Sequence, residues 1–514
     1  MINSDQAKYN NNKRIAKNSA FLYLRTIFTM IIGFVTSRVV LDNLGVQDYG
    51  IYNVVGGIAS MFIFLNSSMS VSVSRFMTFE LGAGNNDRLK EVYNQAKLIH
   101  YILSIVIFIL IEIIGLWLIH HELTISEDRI PITCYVLHTA AIGTVLGIIS
   151  TPDTALVISH ERLRFFAYIS MLDSVLRLIA AILILIISEN RLIWYAVFML
   201  LVFGIDRICY LIYCKANFIE SRGKIVYSKS VFQSMISFAG WNVFGNLANM
   251  TREQGLTIII NIFTNPVVNA ARAVTTQISN SITAFVFNVR TAVNPQITKA
   301  YAEGDYGYMQ KLIVFSSLSC FYILLIIFIP LYFFSDTLFD IWLVEVPQYS
   351  SVFFRLSLIG ILLYSFSNPL IIGVHATGKI VKFQVTEGIL LLTTLLLTYI
   401  FFKMGFKPTW AYIAIIITNF FTLICDIYII LPAIKFSKKK YFREVILPAI
   451  KVFLLAIITP CIVTTINMKY AMTYYTYIIS ALSLFSNVLI IFYFGLTHSQ
   501  RSTVLHQIKR KISR

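Results

Sequence analysis

The chain has 514 residues, of which 57% are hydrophobic and only 13% charged, and its mean hydropathy is +0.74. Soluble domains are about one quarter charged, so this composition excludes an ordinary water-soluble protein. A net charge of +17 would suit a nucleic-acid-binding protein, but the basic residues are scattered over short segments with no domain to organise them. The composition therefore predicts an all-α polytopic membrane protein and disfavours a nucleic-acid partner.

The first apolar segment, residues 18–41, follows a polar, basic start. It is too long for the core of a signal peptide and no small-residue cleavage site follows it, so we expect a retained transmembrane helix. Other stretches of about 20 apolar residues lie at 98–119, 131–158, 163–187, 191–214, 309–334, 351–376, 380–402, 409–434, 445–467 and 472–495. Three further segments are more polar, at 50–76, 231–263 and 266–294. Together they make fourteen predicted helices.

The distribution of Lys and Arg supports this count, because cytoplasmic loops of membrane proteins carry the excess of positive charge. With fourteen helices, most of the 42 basic residues fall on the side of the two termini. The opposite side holds only Arg129, Arg191, Lys403, Lys407 and Lys469. Leaving out one polar helix would move the basic loop at 435–443 to the wrong side. We therefore expect both termini to be cytoplasmic.

The sequence contains no cofactor motif and no metal-ligand spacing. Its six cysteines fall inside predicted helices, where they suit packing rather than disulfide or zinc chemistry; they are Cys134, Cys209, Cys214, Cys320, Cys425 and Cys461. The longest predicted outer loop, residues 335–350, is too short to fold as a catalytic domain. We expect no cofactor, no metal and no enzymatic activity.

Internal similarity indicates a repeat. A shift of 220 residues aligns GAGNNDRLKEV (82–92) with AEGDYGYMQKL (302–312), and a shift of 217 aligns Pro152 with Pro369. Both prolines interrupt backbone hydrogen bonding in equivalent predicted helices, which makes them candidate hinges. The predicted domains are six-helix bundles at 1–217 and 231–435, two extra helices at 445–495 and a basic cytoplasmic tail at 496–514.

Polar side chains follow one face of the segment 231–263. Four of them are spaced by four, three and four residues, which places them on one helical stripe with Arg252 at its flank. They are Asn242, Asn246, Asn249 and Glu253. The segment 266–294 has a similar polar face, which includes Asn269, Arg272, Thr276, Asn280 and Arg290. Charged groups in hydrocarbon are costly, so these faces are expected to point away from lipid and to line a polar cavity.

The charge of this predicted cavity is positive. The segment 18–41 also has a polar stripe, which adds Arg25 to the predicted cavity. The charged residues are then Arg25, Arg252, Arg272 and Arg290 against Glu253 alone. Arginine presents a planar fork that binds phosphate oxygens in pairs, so the cavity favours an anionic, phosphorylated cargo. The alternative is purely structural: Arg252 and Glu253 form an ion pair, and the small polar residues only allow close helix packing.

Three stretches resemble a known family: TSRVVLDNLGVQDYGIYNVVGGIASMF (36–62), SRFMTFELGAGN (74–85) and ISHERLRFFAY (158–168). They are similar to bacterial polysaccharide transporters, the O-antigen and capsule repeat-unit flippases of the multidrug/oligosaccharidyl-lipid/polysaccharide (MOP) exporter superfamily. The resemblance implies a MATE-like fold of two pseudo-symmetric six-helix bundles that alternates between inward-open and outward-open states, in the bacterial cytoplasmic (inner) membrane. The two extra helices would contribute an apolar groove for a lipid tail.

The resemblance also implies the cargo, a polyprenyl-pyrophosphate-linked oligosaccharide, with membrane lipids and other polysaccharide-assembly membrane proteins as further candidate partners. Arg25, Arg252 and Arg272 occupy faces comparable to those of the family's head-group arginines. The related lipid II flippases carry clustered arginines early in the second helix, and this chain has none between Arg38 and Arg75. That departure disfavours a peptidoglycan role.

From these observations we expect Arg252 and Arg272 to hold the diphosphate. The sugars are expected among Asn242, Asn246, Asn249, Thr276 and Asn280, whose side chains can replace hydrogen bonds to water. Two roles stay open for Glu253, which either couples a proton or sodium gradient or only neutralises an arginine. Three functional alternatives also stay open: a MATE-type drug or metabolite antiporter, an uncoupled scramblase, and a polysaccharide polymerase or ligase. The arginine excess argues against the first, and the short outer loops argue against the last.

Overall fold

The computed structural model describes residues 2–60, 62–121, 126–222, 226–264, 266–343, 346–470, 474–497 and 500–502. No β-strand occurs in these ranges, and fifteen α-helices account for most of them. They are α1 (Ile2–Ser60), α2 (Ile63–Ala83), α3 (Asn86–His121), α4 (Ile130–Ser159), α5 (Leu163–Leu183), α6 (Arg191–Asn217), α7 (Lys229–Phe263), α8 (Pro266–Ala302), α9 (Tyr306–Trp342), α10 (Ser350–Thr377), α11 (Val381–Lys403), α12 (Trp410–Ala433), α13 (Lys438–Tyr441), α14 (Leu447–Tyr470) and α15 (Tyr475–Ile490). The all-α fold class is confirmed.

The start of the chain differs from the sequence-based boundaries. The predicted helix at 50–76 is divided between the end of α1 and α2, with a turn at Phe62. Within α1, Gly45 leaves the helical conformation at φ 76° and ψ 169°. Glycine adopts positive φ without a Cβ clash, so the chain bends here while hydropathy shows no interruption.

Eleven helices of the described ranges are long and apolar enough to cross a membrane. The helices that contain the three polar predicted segments, α2 with the end of α1, α7 and α8, are not among them. Two of these, α7 and α8, have 35 and 37 residues, which at 1.5 Å per residue exceeds the thickness of a bilayer. The chain is thus a multi-pass membrane protein, and the count of fourteen spans stays a prediction.

The chain divides into two compact units. Unit 1 comprises Met1–Asn246 and Thr298–Gly304, and unit 2 comprises Leu247–Ile297 and Asp305–Arg514. Apolar side chains of α2, α3, α4 and α6 form a core in unit 1 that includes the fully buried Met77, Leu89 and Leu156. A core in unit 2 packs Phe353 of α10 against Tyr412 of α12, with ring centroids 4.6 Å apart. The helices α7 and α8 contribute residues to both units.

The turns before α3 and α9 match at the 220-residue shift found in the sequence. Gly84 and Gly304 both have positive φ, 70° and 77°, and each precedes a side chain that accepts a hydrogen bond from a backbone N–H three residues later. Asn85 Oδ1 accepts from the N–H of Arg88 at 3.0 Å, and Asp305 Oδ1 accepts from that of Tyr308 at 2.9 Å. These matching turns agree with a repeat, while the two predicted bundles stay a prediction.

The two extra helices correspond to α14 and α15 in unit 2. Polar contacts join α15 to α9: Ser480 Oγ donates to the carbonyl of Pro330 at 3.2 Å, and Asn487 Nδ2 donates to that of Leu325 at 3.4 Å. Both carbonyls belong to the α9 backbone, so α15 is held by more than apolar packing. The predicted tail at 496–514 lies outside the described residues except at 496–497 and 500–502.

Candidate functional site

Three charged side chains on α7 and α8 form an ionic group in unit 2. Glu253 Oε1 accepts from Arg252 Nη2 at 2.9 Å, and its Oε2 accepts from Arg272 Nη2 at 2.8 Å. Arg272 also donates to the Glu253 carbonyl at 3.0 Å and from Nε to Thr257 Oγ1 at 3.2 Å. One carboxylate therefore bridges two arginines on neighbouring helices, and the ion pair of Arg252 with Glu253 that the structural alternative expects is present.

The two arginines of this group differ in whether their hydrogen-bond donors are already paired within the described residues. The Arg272 side chain is 8% exposed, and its Nε and Nη2 donate to partners within the group. The Arg252 side chain is 15% exposed, and its buried Nε has no hydrogen-bond partner among the described residues. Arg272 thus fixes the geometry of Glu253, whereas Arg252 keeps a donor for another group.

Arg290 lies further along α8, also in unit 2. Its Cζ is 6.0 Å from the centroid of the Phe287 ring, and its buried Nε lacks a hydrogen-bond partner in the described part of the chain. The Oδ1 of Asn269 on the same helix is likewise buried and unpaired there. A buried donor or acceptor without a partner costs free energy unless a ligand or water satisfies it. The two residues are about 31 Å apart along the helix, so each atom would need a partner of its own.

The remaining predicted residues of unit 2 are accessible to different degrees. Asn249 and Asn280 are exposed, and Thr276 is partly buried. Their side chains carry donors and acceptors suited to hydroxyl-rich ligands.

Other predicted site residues belong to unit 1. Arg25 of α1 lies over the Phe166 ring, with Cζ 5.0 Å from its centroid. Asn242 is 5% exposed and donates to the Phe238 carbonyl at 2.9 Å. Asn246 donates to Ser68 Oγ at 2.6 Å. The two asparagines are therefore engaged in packing within unit 1, and Arg25 belongs to a different unit from the other three arginines.

Both predicted hinge prolines are buried inside helices, Pro152 in α4 and Pro369 in α10. The residue after Pro152 is tightly held: Asp153 is 1% exposed and binds Arg207 of α6 and the hydroxyl of Tyr93 of α3. The α4 backbone is thus anchored directly beside its missing hydrogen bond.

Several ion pairs of the structure lie outside the predicted site residues. Lys299 Nζ of α8 contacts Glu161 Oε1 at 2.7 Å within unit 1, and the Glu161 side chain is 1% exposed. On α5, Arg177 Nε donates to both carboxylate oxygens of Asp173, at 2.9 and 2.8 Å. The latter pair is spaced by four residues on one helix and was visible in sequence. The contact of Lys299 with Glu161 joins two segments that are 138 residues apart, so no local sequence pattern predicts it.

Unit 1 also contains a cavity of about 400 Å³ between the end of α1, α4 and α6. Most of its lining is apolar or small, including Gly56, Gly143 and Phe203. It contains none of the predicted arginines, so the predicted cationic site and this cavity are separate features.

Comparisons with known proteins agree with the fold. The family described as "Polysaccharide biosynthesis protein" matches residues 15–301, which is more than half of the chain. No curated protein matches the chain in sequence.

Solved structures with the same fold are MATE and MOP-superfamily transporters. One is a MATE in the bent conformation, with a TM-score of 0.71, 13% identity, and coverage of 84% of this chain and 96% of that chain. Another is a MOP superfamily transporter from Pyrococcus furiosus, described by the reverse polarity of its binding pocket (TM-score 0.67, 14% identity, 82% and 97% coverage). A third is an outward-facing multidrug resistance MATE transporter (TM-score 0.68, 13% identity, 82% and 96% coverage).

These comparisons confirm the family resemblance drawn from the sequence motifs. At 13–14% identity the structural likeness establishes the fold, and the family match spans the first eight helices. The chain therefore belongs to the polysaccharide biosynthesis protein family and is a multi-pass membrane protein with the fold of the MATE transporters of the MOP superfamily.

Proposed function

We propose that this protein is a flippase that moves a polyprenyl-pyrophosphate-linked oligosaccharide across the bacterial cytoplasmic membrane by alternating access. Family membership supports a role in making a surface polysaccharide, and the fold supports an exporter. The repeat unit would belong to an O-antigen, a capsule or an exopolysaccharide. Both termini would lie in the cytoplasm, with Pro152 and Pro369 as bend points.

The observation that carries the proposal is the set of unsatisfied guanidinium donors in unit 2. Arg252 and Arg290 each keep a buried Nε without a hydrogen-bond partner among the described residues. A diphosphate offers several acceptor oxygens and negative charge, so its phosphate oxygens would suit donors of this kind. A neutral cargo could accept these hydrogen bonds but would not balance the positive charge, and a cationic cargo would be repelled by it.

Arg272 has a supporting role in this proposal. Its donors hold Glu253, and Glu253 in turn orients Arg252. Entry of the diphosphate would compete with Glu253 for Arg252, while Arg272 keeps the carboxylate in place. The exposed Asn249 and Asn280 would meet the sugars next to the diphosphate.

The test is deletion of the gene in its host, followed by complementation. Surface polysaccharide and the leaflet position of the polyprenyl-linked intermediate are measured together. Wild type should restore surface glycan, whereas Arg252→Ala with Arg290→Ala should trap the intermediate in the inner leaflet. Because hydrogen bonds to charged groups contribute about 1.5–3 kcal/mol each, we expect at least about a tenfold loss of flipping.

Arg443→Gln provides the matched control, since that arginine side chain is 76% exposed. It should restore surface glycan like wild type. Full flipping by the Arg252/Arg290 variant at normal protein level would refute the cationic site. Normal surface glycan in the deletion strain, with altered resistance to cationic dyes, would instead support the MATE-type antiporter that the fold also allows.

A further inference from the structure

Two carboxylic acids on α11 and α12 of unit 2 lie outside the polar stripes. Asp426 is 2% exposed, and its buried Oδ2 has no hydrogen-bond partner in the described ranges, although the Ser367 side chain of α10 stabilises the ionised carboxyl. Glu387 is partly buried and acts electrostatically on Asp426. An ionised carboxylate with an unpaired oxygen is costly at this depth unless a proton or a cation satisfies it.

The helix geometry places Glu387 and Asp426 at the same level of two neighbouring helices. Consecutive helices α11 and α12 are joined by a short turn, and the Thr394 and Thr418 hydroxyls share a hydrogen bond of 2.9 Å between them. Glu387 precedes Thr394 by seven residues, and Asp426 follows Thr418 by eight. In an antiparallel pair with a rise of 1.5 Å per residue, both carboxyls therefore lie two turns from that hydrogen bond, on the same level to within about 1.5 Å.

Charged and titratable groups from several helices act on this pair. Arg252 of α7 acts on Glu387, and Tyr441 of α13 and Cys425 of α12 interact with Asp426. Tyr364 of α10 is within range of both carboxyls and of Arg252 and Arg290. The carboxyl pair thus belongs to one electrostatic cluster of unit 2 with Arg252 and Arg290.

The charges of this cluster decide what it attracts. Three arginines, Arg252, Arg272 and Arg290, stand with three carboxylic acids, Glu253, Glu387 and Asp426. With all groups ionised the sum is zero, and an anion gains little by entering. Two neighbouring carboxyls in a medium of low dielectric also do not ionise together readily. Each proton that the pair takes up adds one positive charge to the cluster.

We propose that Glu387 and Asp426 form a proton-binding pair that controls the affinity of Arg252 and Arg290 for an organic diphosphate. This inference rests on the proposed function and identifies the residues that link cargo binding to protons. The negative charge of a bound diphosphate offsets the positive charge of Arg252 that acts on Glu387, and the pair takes up a proton from water. Cargo and proton therefore bind cooperatively, the reverse of the competition expected for a cationic cargo.

The experiment measures the binding of farnesyl diphosphate to the purified full-length protein in lipid nanodiscs between pH 5.5 and 8.5. The comparison protein is Glu387→Gln with Asp426→Asn, which imitates the protonated pair. Because the probe also titrates, the two proteins are compared at each pH. At pH 8.5 the variant should bind at least about tenfold more tightly than wild type, since it lacks two nearby negative charges. At pH 5.5 the two affinities should converge.

A second measurement needs no variant. At pH 8, where the phosphates of the probe are ionised, calorimetry of the wild type in buffers of different ionisation enthalpy should show net proton uptake on binding. Asp340→Asn, which removes an exposed carboxyl of α9, is the control and should follow wild type in both assays.

The outcomes separate the two proposals. Binding without proton uptake, or an affinity ratio of variant to wild type that does not change with pH, overturns the proton pair and leaves the flippase intact. No binding by either protein at any pH overturns the diphosphate site and, with it, this inference.

Discussion

Arg252 and Arg272 carry the same charge on facing helices, yet their surroundings give them different chemistry. Arg272 is 8% exposed and donates to Glu253 and Thr257, so its role is to hold the carboxylate. Arg252 shares that carboxylate, but its Nε has no hydrogen-bond partner within the described part of the chain. A stripe in a sequence predicts that both residues face a polar region. It does not reveal which donors remain free, because that depends on partners 19 residues away on another helix.

Gly82 of α2 shows how closely two helices approach in unit 1. A Cβ at this position would lie 2.7 Å from the Cα and the carbonyl oxygen of Lys299, both backbone atoms that cannot move aside. Gly82→Val should therefore lower stability by about 1–3 kcal/mol. The measurement is the midpoint of thermal unfolding of the purified protein in detergent.

The matched control is Gly204→Val on α6, where an added Cβ meets no atom within 4 Å. Its midpoint should stay close to that of wild type. Equal losses in both variants would mean that Val is poorly tolerated in these helices in general and that the approach of α2 to Lys299 is not the cause.

At the scale of elements, the polar helices α7 and α8 are among those with the weakest hydropathy signal. The segment 231–263 carries Arg252 and Glu253 and falls below the hydropathy of a typical span, yet it forms the unbroken 35-residue helix α7. Its charges are tolerated because Arg272 of α8 completes an ionic group within unit 2. The positive charge of the loops predicted this helix where hydropathy alone was ambiguous.

The matching prolines of α4 and α10 supply a prediction about movement. Pro152→Ala with Pro369→Ala restores a backbone donor in each helix, so the amount of folded protein should not fall. If the helices bend at these points during transport, flipping should fall several-fold. Protein level in membranes and surface glycan are measured in the same cells.

Pro432→Ala, at another proline inside a helix, is the control and should leave flipping unchanged. Wild-type flipping by the double variant would show that neither proline is a hinge. A loss of folded protein that matches the loss of flipping would assign both prolines a role in folding.

At the scale of the whole molecule, the distribution of positive charge predicts the orientation of the chain in the membrane. The basic loop at 435–443 is expected on the cytoplasmic side and the turn that contains Lys407 on the outer side. In a variant without native cysteines, Lys407→Cys should react with a membrane-impermeant maleimide in intact cells. Lys438→Cys should react only after permeabilisation, and both positions are exposed in the fold. The opposite pattern would reverse the predicted topology.

The sequence alone determined the helical membrane architecture, the family and the candidate arginines. These depend on local properties: apolar runs of spanning length, the bias of Lys and Arg between loops, and polar residues at helical spacing. The matching turns at Gly84 and Gly304 were also visible in sequence, because a glycine followed by Asn or Asp is a local signal.

Only the tertiary structure decided which polar groups are satisfied and which are left over. The contact of Lys299 with Glu161, the bridging of two arginines by Glu253, and the unpaired oxygen of Asp426 each depend on helices that are distant in the chain. The sequence predicts a cationic site because the polar stripes by themselves carry more arginines than acidic residues. The fold adds Glu387 and Asp426 to the same cluster of unit 2, and whether a buried charge is free or neutralised is a property of packing, which no local pattern encodes.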